Sequence, residues 1–271
     1  MKPLNLEIVR DAQKFTARWG FLTKEIFFDF FCNFGKTQRY FYWKYLTTSN
    51  LFIPSAATDS VLLLSLKSRR SDFGKSARPS RLPTYIGHDA IAARFILTLE
   101  RLDMIATYWL EDELIRSTTA AYQVLGAERL HRIPDVVFDL KTASGTLRCA
   151  LEVEKTAKTQ ARYSKMALAY LGYKKVGITL FACRNAWTEN AVRGAFQGRT
   201  FLEQKKIPGL FQYADFDGQS IQAPIRFGHN QMTVREFLEV ATQRPVEFDK
   251  SLANQNRTPV RLKSCEKSEA A

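Results

Sequence analysis

Residues 134–155 read PDVVFDLKTASGTLRCALEVEK, and the way this stretch pairs with itself decides the fold. It is two strand-like runs around a turn at Thr142, Ala143, Ser144 and Gly145. Antiparallel pairing about Ala143 and Ser144 sets Asp135 opposite Glu152, Asp139 opposite Arg148 and Leu140 opposite Leu147. Strand side chains alternate, so Val136, Phe138, Leu140, Leu147, Cys149, Leu151 and Val153 share one face. That face is wholly apolar and predicts a core. The other face carries Asp135, Asp139, Arg148, Glu152 and Glu154. Asp139 and Arg148 complement each other, whereas Asp135, Glu152 and Glu154 crowd one end with no neutralising partner inside the hairpin.

Crowded carboxylates repel and raise one another's pKa unless a cation sits among them. An all-oxygen Asp/Glu set suits Mg²⁺ or Mn²⁺ better than zinc. The arrangement resembles the PD-(D/E)-x-K nuclease motif: Pro134-Asp135 opens one strand, and Glu152-x-Glu154 lies on its neighbour. The motif's lysine position holds Glu154, an E-x-E variant. Lys155 follows but falls on the opposite face of a regular strand, and Lys158 on the next helix is an equally good candidate for the catalytic lysine. The alternative is an exposed strand with ordinary solvated acids.

The full chain of 271 residues can bury one large core or two modest ones. Its formal charge of +13 favours a polyanionic partner. Lys and Arg minus Asp and Glu gives +8 for residues 1–83, −2 for 84–133 and +7 for 134–271. Cys32, Cys149, Cys183 and Cys265 are far apart, a pattern of buried thiols in a reducing compartment rather than of disulfides or zinc. Three histidines are too few for a His-rich metal site. No signal pattern is visible, and no apolar run approaches the roughly 20 residues of a membrane span. The expected location is cytoplasmic, with no membrane partner.

Upstream, Leu6 to Trp19 carries a helical stripe, Thr23 can cap a helix from Lys24 to Phe31, and Thr37 can cap one from Gln38 to Leu46. Two apolar runs at 51–53 and 61–64 then suggest a hairpin. This order predicts a winged helix-turn-helix over residues 1–66, whose third helix offers Lys36, Gln38, Arg39 and Lys44 to duplex DNA. A small helical bundle with solvated bases is the plainer alternative. Residues 67–83 hold six basic residues against Asp72 and suggest a basic linker or an extended wing.

The second domain is expected over residues 84–243. Asp89 can cap a helix from Ala90 to Arg101, and a strand from Met104 to Leu110 runs into Glu111, Asp112 and Glu113. After the hairpin, Thr156 can cap a helix from Ala157 to Leu171 with Lys158, Arg162 and Lys165 on one face and Tyr163, Met166, Ala167 and Tyr170 on another. A buried strand at 176–183, a helix at 188–197, an edge strand at 210–216 and a helix at 234–241 complete it. From Arg244 the pattern predicts a disordered tail, 244–271.

The fold class is therefore α/β, a mixed-sheet restriction-endonuclease-like core behind an N-terminal winged helix. From Leu6 to Cys183 the chain resembles the plasmid replication–relaxation and MobC-type relaxase families. The resemblance rests on the P-D and E-x-E motif, His88, Trp109 with Glu111 and Glu113, and the helix from Arg162 to Tyr170. It implies Mg²⁺-dependent nicking of double-stranded DNA at a plasmid or mobile-element transfer or replication origin, alongside other mobilization or replication proteins. Asp135, Glu152 and Glu154 would then hold the metal, Lys155 or Lys158 the pentavalent phosphate, and Arg162 and Lys165 the flanking phosphates. Glu111 and Glu113 would be outer carboxylates. No tyrosine is singled out as a nucleophile, and Tyr163 is the candidate. A non-catalytic replication-initiation or regulatory protein is the second reading. An endonuclease cutting both strands is the third.

Overall fold

A computed structural model describes residues 4–32, 34–74, 77–80, 82–127, 130–196, 208–216 and 222–242. The chain divides into two compact units, one reaching Ala90 and the other starting at Ile91.

In the first unit, α1 (Leu6–Trp19) buries Ile8, Val9, Ala12, Phe15 and Trp19, the three-and-four spacing of a helix with one core face. Asn5 caps it by accepting from the Glu7 N–H at 2.9 Å, and Gly20 ends it with a φ of 84°, where a side chain would be strained. β1 (Leu22–Thr23) leads into α2 (Lys24–Ile26), capped by the Thr23 hydroxyl and continued by a π-helical turn over Phe27–Phe31. α3 (Lys36–Thr48) starts earlier than the Thr37 cap predicted. Gly35 takes that place because its carbonyl accepts from both Gln38 and Arg39. β2 (Phe52–Ser55) and β3 (Thr58–Leu64) follow, and the antiparallel sheet runs β1-β3-β2. Aromatic rings fill the space between these elements in a chain of contacts, Phe15 against Phe31, Phe31 against Phe27 and Phe27 against Trp43.

The stretch expected as a linker or extended wing contains α4 (Leu66–Ser68) and a π-helical turn over Arg69–Phe73. Beyond it, buried Arg78 donates to the Trp19 carbonyl at 3.2 Å and lies 3.3 Å from Asp89. Asp89 is therefore an ion-pair partner inside a helix, not the cap expected of it, because α5 (Pro83–Arg101) begins further upstream at a proline suited to the first helical position.

The second unit continues with β4 (Ile105–Leu110), α6 (Glu111–Arg116), α7 (Thr118–Leu125), β5 (Val136–Thr142), β6 (Gly145–Glu154) and α8 (Gln160–Leu171). Then come β7 (Ile178–Cys183), α9 (Ala186–Ala195), β8 (Gly209–Gln212), β9 (Pro224–Phe227), β10 (Asn230–Thr233) and a last helix, Val234–Thr242. The sheet order is β10-β9-β8-β7-β6-β5-β4, parallel through β6-β7-β8 and antiparallel elsewhere. The run at 210–216 is thus an internal strand, β8, not an edge, since the β9–β10 hairpin extends the sheet beyond it. The tail expected from Arg244 lies outside the described residues. The fold is mixed α/β, with one seven-stranded and one three-stranded sheet.

The β5–β6 register is the expected one: Asp139 pairs with Arg148 and Leu140 with Leu147. Burial is not. Sequence reasoning gave the hairpin one core face, and the structure gives it two. Phe138 packs with Phe95, which stacks on Phe211, on one side. Val137 and Ala150 join Tyr163, Met166, Ala167, Tyr170 and Phe181 in a buried cluster on the other. Among the described residues no helix is long and apolar enough to cross a membrane.

Candidate functional site

β5 and β6 place their charged residues on the face that α8 covers. Glu152 and Glu154 are 0% and 1% exposed. A buried carboxylate requires hydrogen-bonded, charged partners, and here they come from outside the hairpin. Arg132 grips Glu152 in a bidentate fork, Nε to Oε1 at 2.7 Å and Nη2 to Oε2 at 2.6 Å. The Tyr170 hydroxyl donates to the same Oε1 at 2.6 Å. Tyr173 donates to the Arg132 carbonyl and so fixes the main chain behind the guanidinium. Glu154 pairs with Lys158 and accepts from the Tyr163 hydroxyl at 3.3 Å. Asp135 accepts from the Val153 N–H at 2.7 Å.

Opposing effects act on Glu152. Burial and the negative charge of Asp135 push its carboxyl up to about 7, against the pull of Arg132 and Tyr170. Burial works against the charge on Arg132 too, but the hydrogen bonds and charge of Glu152 raise its pKa on balance. The buried Tyr170 hydroxyl is raised as well, by desolvation and then by Glu152.

Sequence reasoning expected Asp135, Glu152 and Glu154 to crowd together as unpartnered metal ligands; the structure sets Asp135 near enough to Glu152 for its charge to act there, while Glu154 has its own partners. The structure supplies Arg132, Lys158 and two tyrosines instead. Among the described residues no group of three or more His, Cys, Asp or Glu side chains is arranged to hold a metal ion. Lys155 is exposed because β6 ends at Glu154 and the chain turns there, and Lys158 is the lysine that pairs with Glu154. Tyr163 is no exposed nucleophile: its hydroxyl is buried between Glu154 and the Lys158 N–H, and desolvation pushes it up to about 12. Glu113 caps α6 through the Leu110 N–H at 2.9 Å, and Glu111 sits in the same first turn. Asp139 holds Arg148 in a second fork while that guanidinium covers Trp109.

Arg162 and Lys165 stand exposed on α8. With His131, Arg132, Met166, Leu168 and Ala169 they line a cleft of about 490 Å³. In the first unit, Lys36, Tyr40 and Lys44 are exposed at four-residue spacing on α3, and Lys24 lies over the Tyr40 ring at 4.5 Å. Gln38 and Arg39 are half-buried, and Arg39 Nε donates to the Phe34 carbonyl at 2.7 Å.

Arg132, Tyr170 and Tyr173 were missed. A signal for Tyr170 was available, since it falls two helical turns after Tyr163 on the face toward the strands. Arg132 lies in a loop before Pro134, where no periodicity reports on it. Comparison with family models, with curated proteins and with solved structures finds no match to this chain.

Proposed function

We propose that this chain is a DNA-binding protein of the replication–relaxation and MobC type, acting at a plasmid or mobile-element origin. In this reading the first unit is a winged helix and the second a restriction-endonuclease-like core used for contact with nucleic acid. The order helix, strand, helix, helix, hairpin and the strand order β1-β3-β2 support the winged helix. Helix, antiparallel hairpin, helix, parallel strand and helix support the second assignment. One observation carries the reading: the Lys36–Tyr40–Lys44 stripe on α3, an exposed basic and aromatic face in which Tyr40 is held by an edge-on contact with Phe28 while both lysines stay exposed. Lysines there would engage phosphates, and Tyr40 a sugar or base edge. The full chain should bind duplex DNA with a steep salt dependence, and replacing both Lys36 and Lys44 by Ala should flatten the log–log salt slope by about 2. An unchanged slope in the double variant would move the recognition surface elsewhere.

A second reading, metal-dependent nicking, is favoured by the nearness of Asp135 to Glu152, whose carboxyl it raises through its charge. As arranged, these carboxylates do not fit a divalent ion, because Arg132 takes both oxygens of Glu152 while Lys158 and Tyr163 take those of Glu154. Millimolar Mg²⁺ or Mn²⁺ should leave the melting temperature unchanged. A clear rise, together with nicking of supercoiled DNA, would favour the second reading over the first.

A further inference from the structure

The cleft beside the buried carboxylates is lined by four basic side chains, His131, Arg132, Arg162 and Lys165, and by no carboxylate among the described residues. Its basic groups differ in kind. Arg132 is locked in place: two of its nitrogens are spent on Glu152, while Nη1 forms no hydrogen bond or ion pair among the described residues. Its charge is largely matched by Glu152. Arg162 and Lys165 have no hydrogen-bonded or ionic side-chain partner among the described residues and add two unmatched positive charges. The remaining wall is apolar, from Met166, Leu168 and Ala169.

An oriented guanidinium edge and two unmatched cations suit a dianionic phosphomonoester better than the single charge of a phosphodiester. About 490 Å³ is a ligand-sized volume, larger than phosphate alone needs, and the apolar wall offers a surface for a sugar or base. We infer that this cleft binds a nucleotide through a terminal phosphomonoester. The carrier is either the phosphorylated end of a DNA strand or a free mononucleotide. The inference rests on the DNA-binding reading only in taking the phosphate to belong to a nucleotide.

Fluorescence anisotropy on the full chain tests it with three labelled single-stranded oligonucleotides. One carries a 5′-phosphate, one a 3′-phosphate, and one has hydroxyl ends but an extra nucleotide, which adds a backbone phosphate. Wild-type protein should prefer one phosphorylated end over the longer hydroxyl strand on the order of tenfold. Arg162→Ala combined with Lys165→Ala should erase that preference. Competition by unlabelled AMP at comparable concentration assigns the cleft to free nucleotides, and a preference that resists AMP assigns it to strand ends. Equal binding of all three strands by the wild type overturns the inference. So does a preference that survives in the double variant. Duplex binding measured on the same wild-type sample separates the two readings. Salt-sensitive duplex binding without end preference removes the cleft alone, and end preference without duplex binding removes the winged-helix reading alone.

Discussion

Replacing Arg132 by Met tests the assignment of the buried carboxylates most directly. The substitution keeps an unbranched stem and removes the guanidinium that forks both oxygens of Glu152. Breaking one side of a buried ion pair costs about 3–5 kcal/mol. The Arg132 side chain is 26% exposed, so water already screens part of the pair, and about 2–4 kcal/mol is the expected loss near pH 8. The loss should depend on pH with a definite sign. Glu152 already titrates near 7 in the fold, above its ordinary 4.5, and without Arg132 it moves higher. A carboxyl raised in the folded state holds its proton more tightly there than in the unfolded chain. Its stabilising contribution is therefore complete below the unfolded pKa and drains away as pH rises through the folded one. Urea unfolding of variant and wild type at about pH 5 and about pH 8 should show a small difference at the lower pH and a large one at the higher. Adding Glu152→Leu to Arg132→Met should restore much of the stability, since no lone buried charge remains. An equal loss at both pH values, or none at the higher, would refute the reasoning.

Three further outcomes are expected. Tyr170→Phe removes a donor 2.6 Å from a buried carboxylate and should cost about 1.5–3 kcal/mol in denaturant unfolding, again more at high pH. Gly209→Ala puts a methyl group 2.6 Å from Phe227 Cζ and 2.8 Å from Leu180 Cδ2, and thermal melts should register about 1–3 kcal/mol of overpacking. Arg39→Ala forfeits the bond to the Phe34 carbonyl and should lower stability by about 1 kcal/mol, while exposed Lys44→Ala stays within about 0.5 kcal/mol. A reversed order for these two would mean that the inner and outer faces of α3 are wrongly assigned.

The hairpin was legible down to its register, because a two-residue turn and period-two alternation leave one pairing that gathers Phe138, Leu140, Leu147 and Leu151 on one side. α1 was equally legible, with an asparagine before it, a glycine after it and an apolar stripe between. What could not be read was which strand faces are covered. That depends on α8, whose inner surface meets the strands only in three dimensions. A face bearing Asp135, Asp139, Glu152 and Glu154 reads as solvent-exposed until Arg132, Lys158 and the tyrosines are known to lie over it. The β9–β10 hairpin escaped detection because PIRF and NQMT are short and weakly alternating. The early start of α5 was hidden by the basic, serine- and proline-rich composition leading up to Pro83.

The doubly covered hairpin also bears on how the chain finds its fold. Strands with one wet face can slide by a residue and merely exchange greasy groups for solvent. Here a slip of one position would drive Glu152 and Glu154 toward the Phe95 and Phe211 side, far from any cation, and would set Leu151 and Val153 against Arg132 and Lys158. Each stranded ion would cost several kcal/mol. Misaligned pairings are thus heavily penalised once the sheet and its covering helices close over the hairpin. The buried charges act as a register key, contributing selectivity among pairings where they contribute little net cohesion.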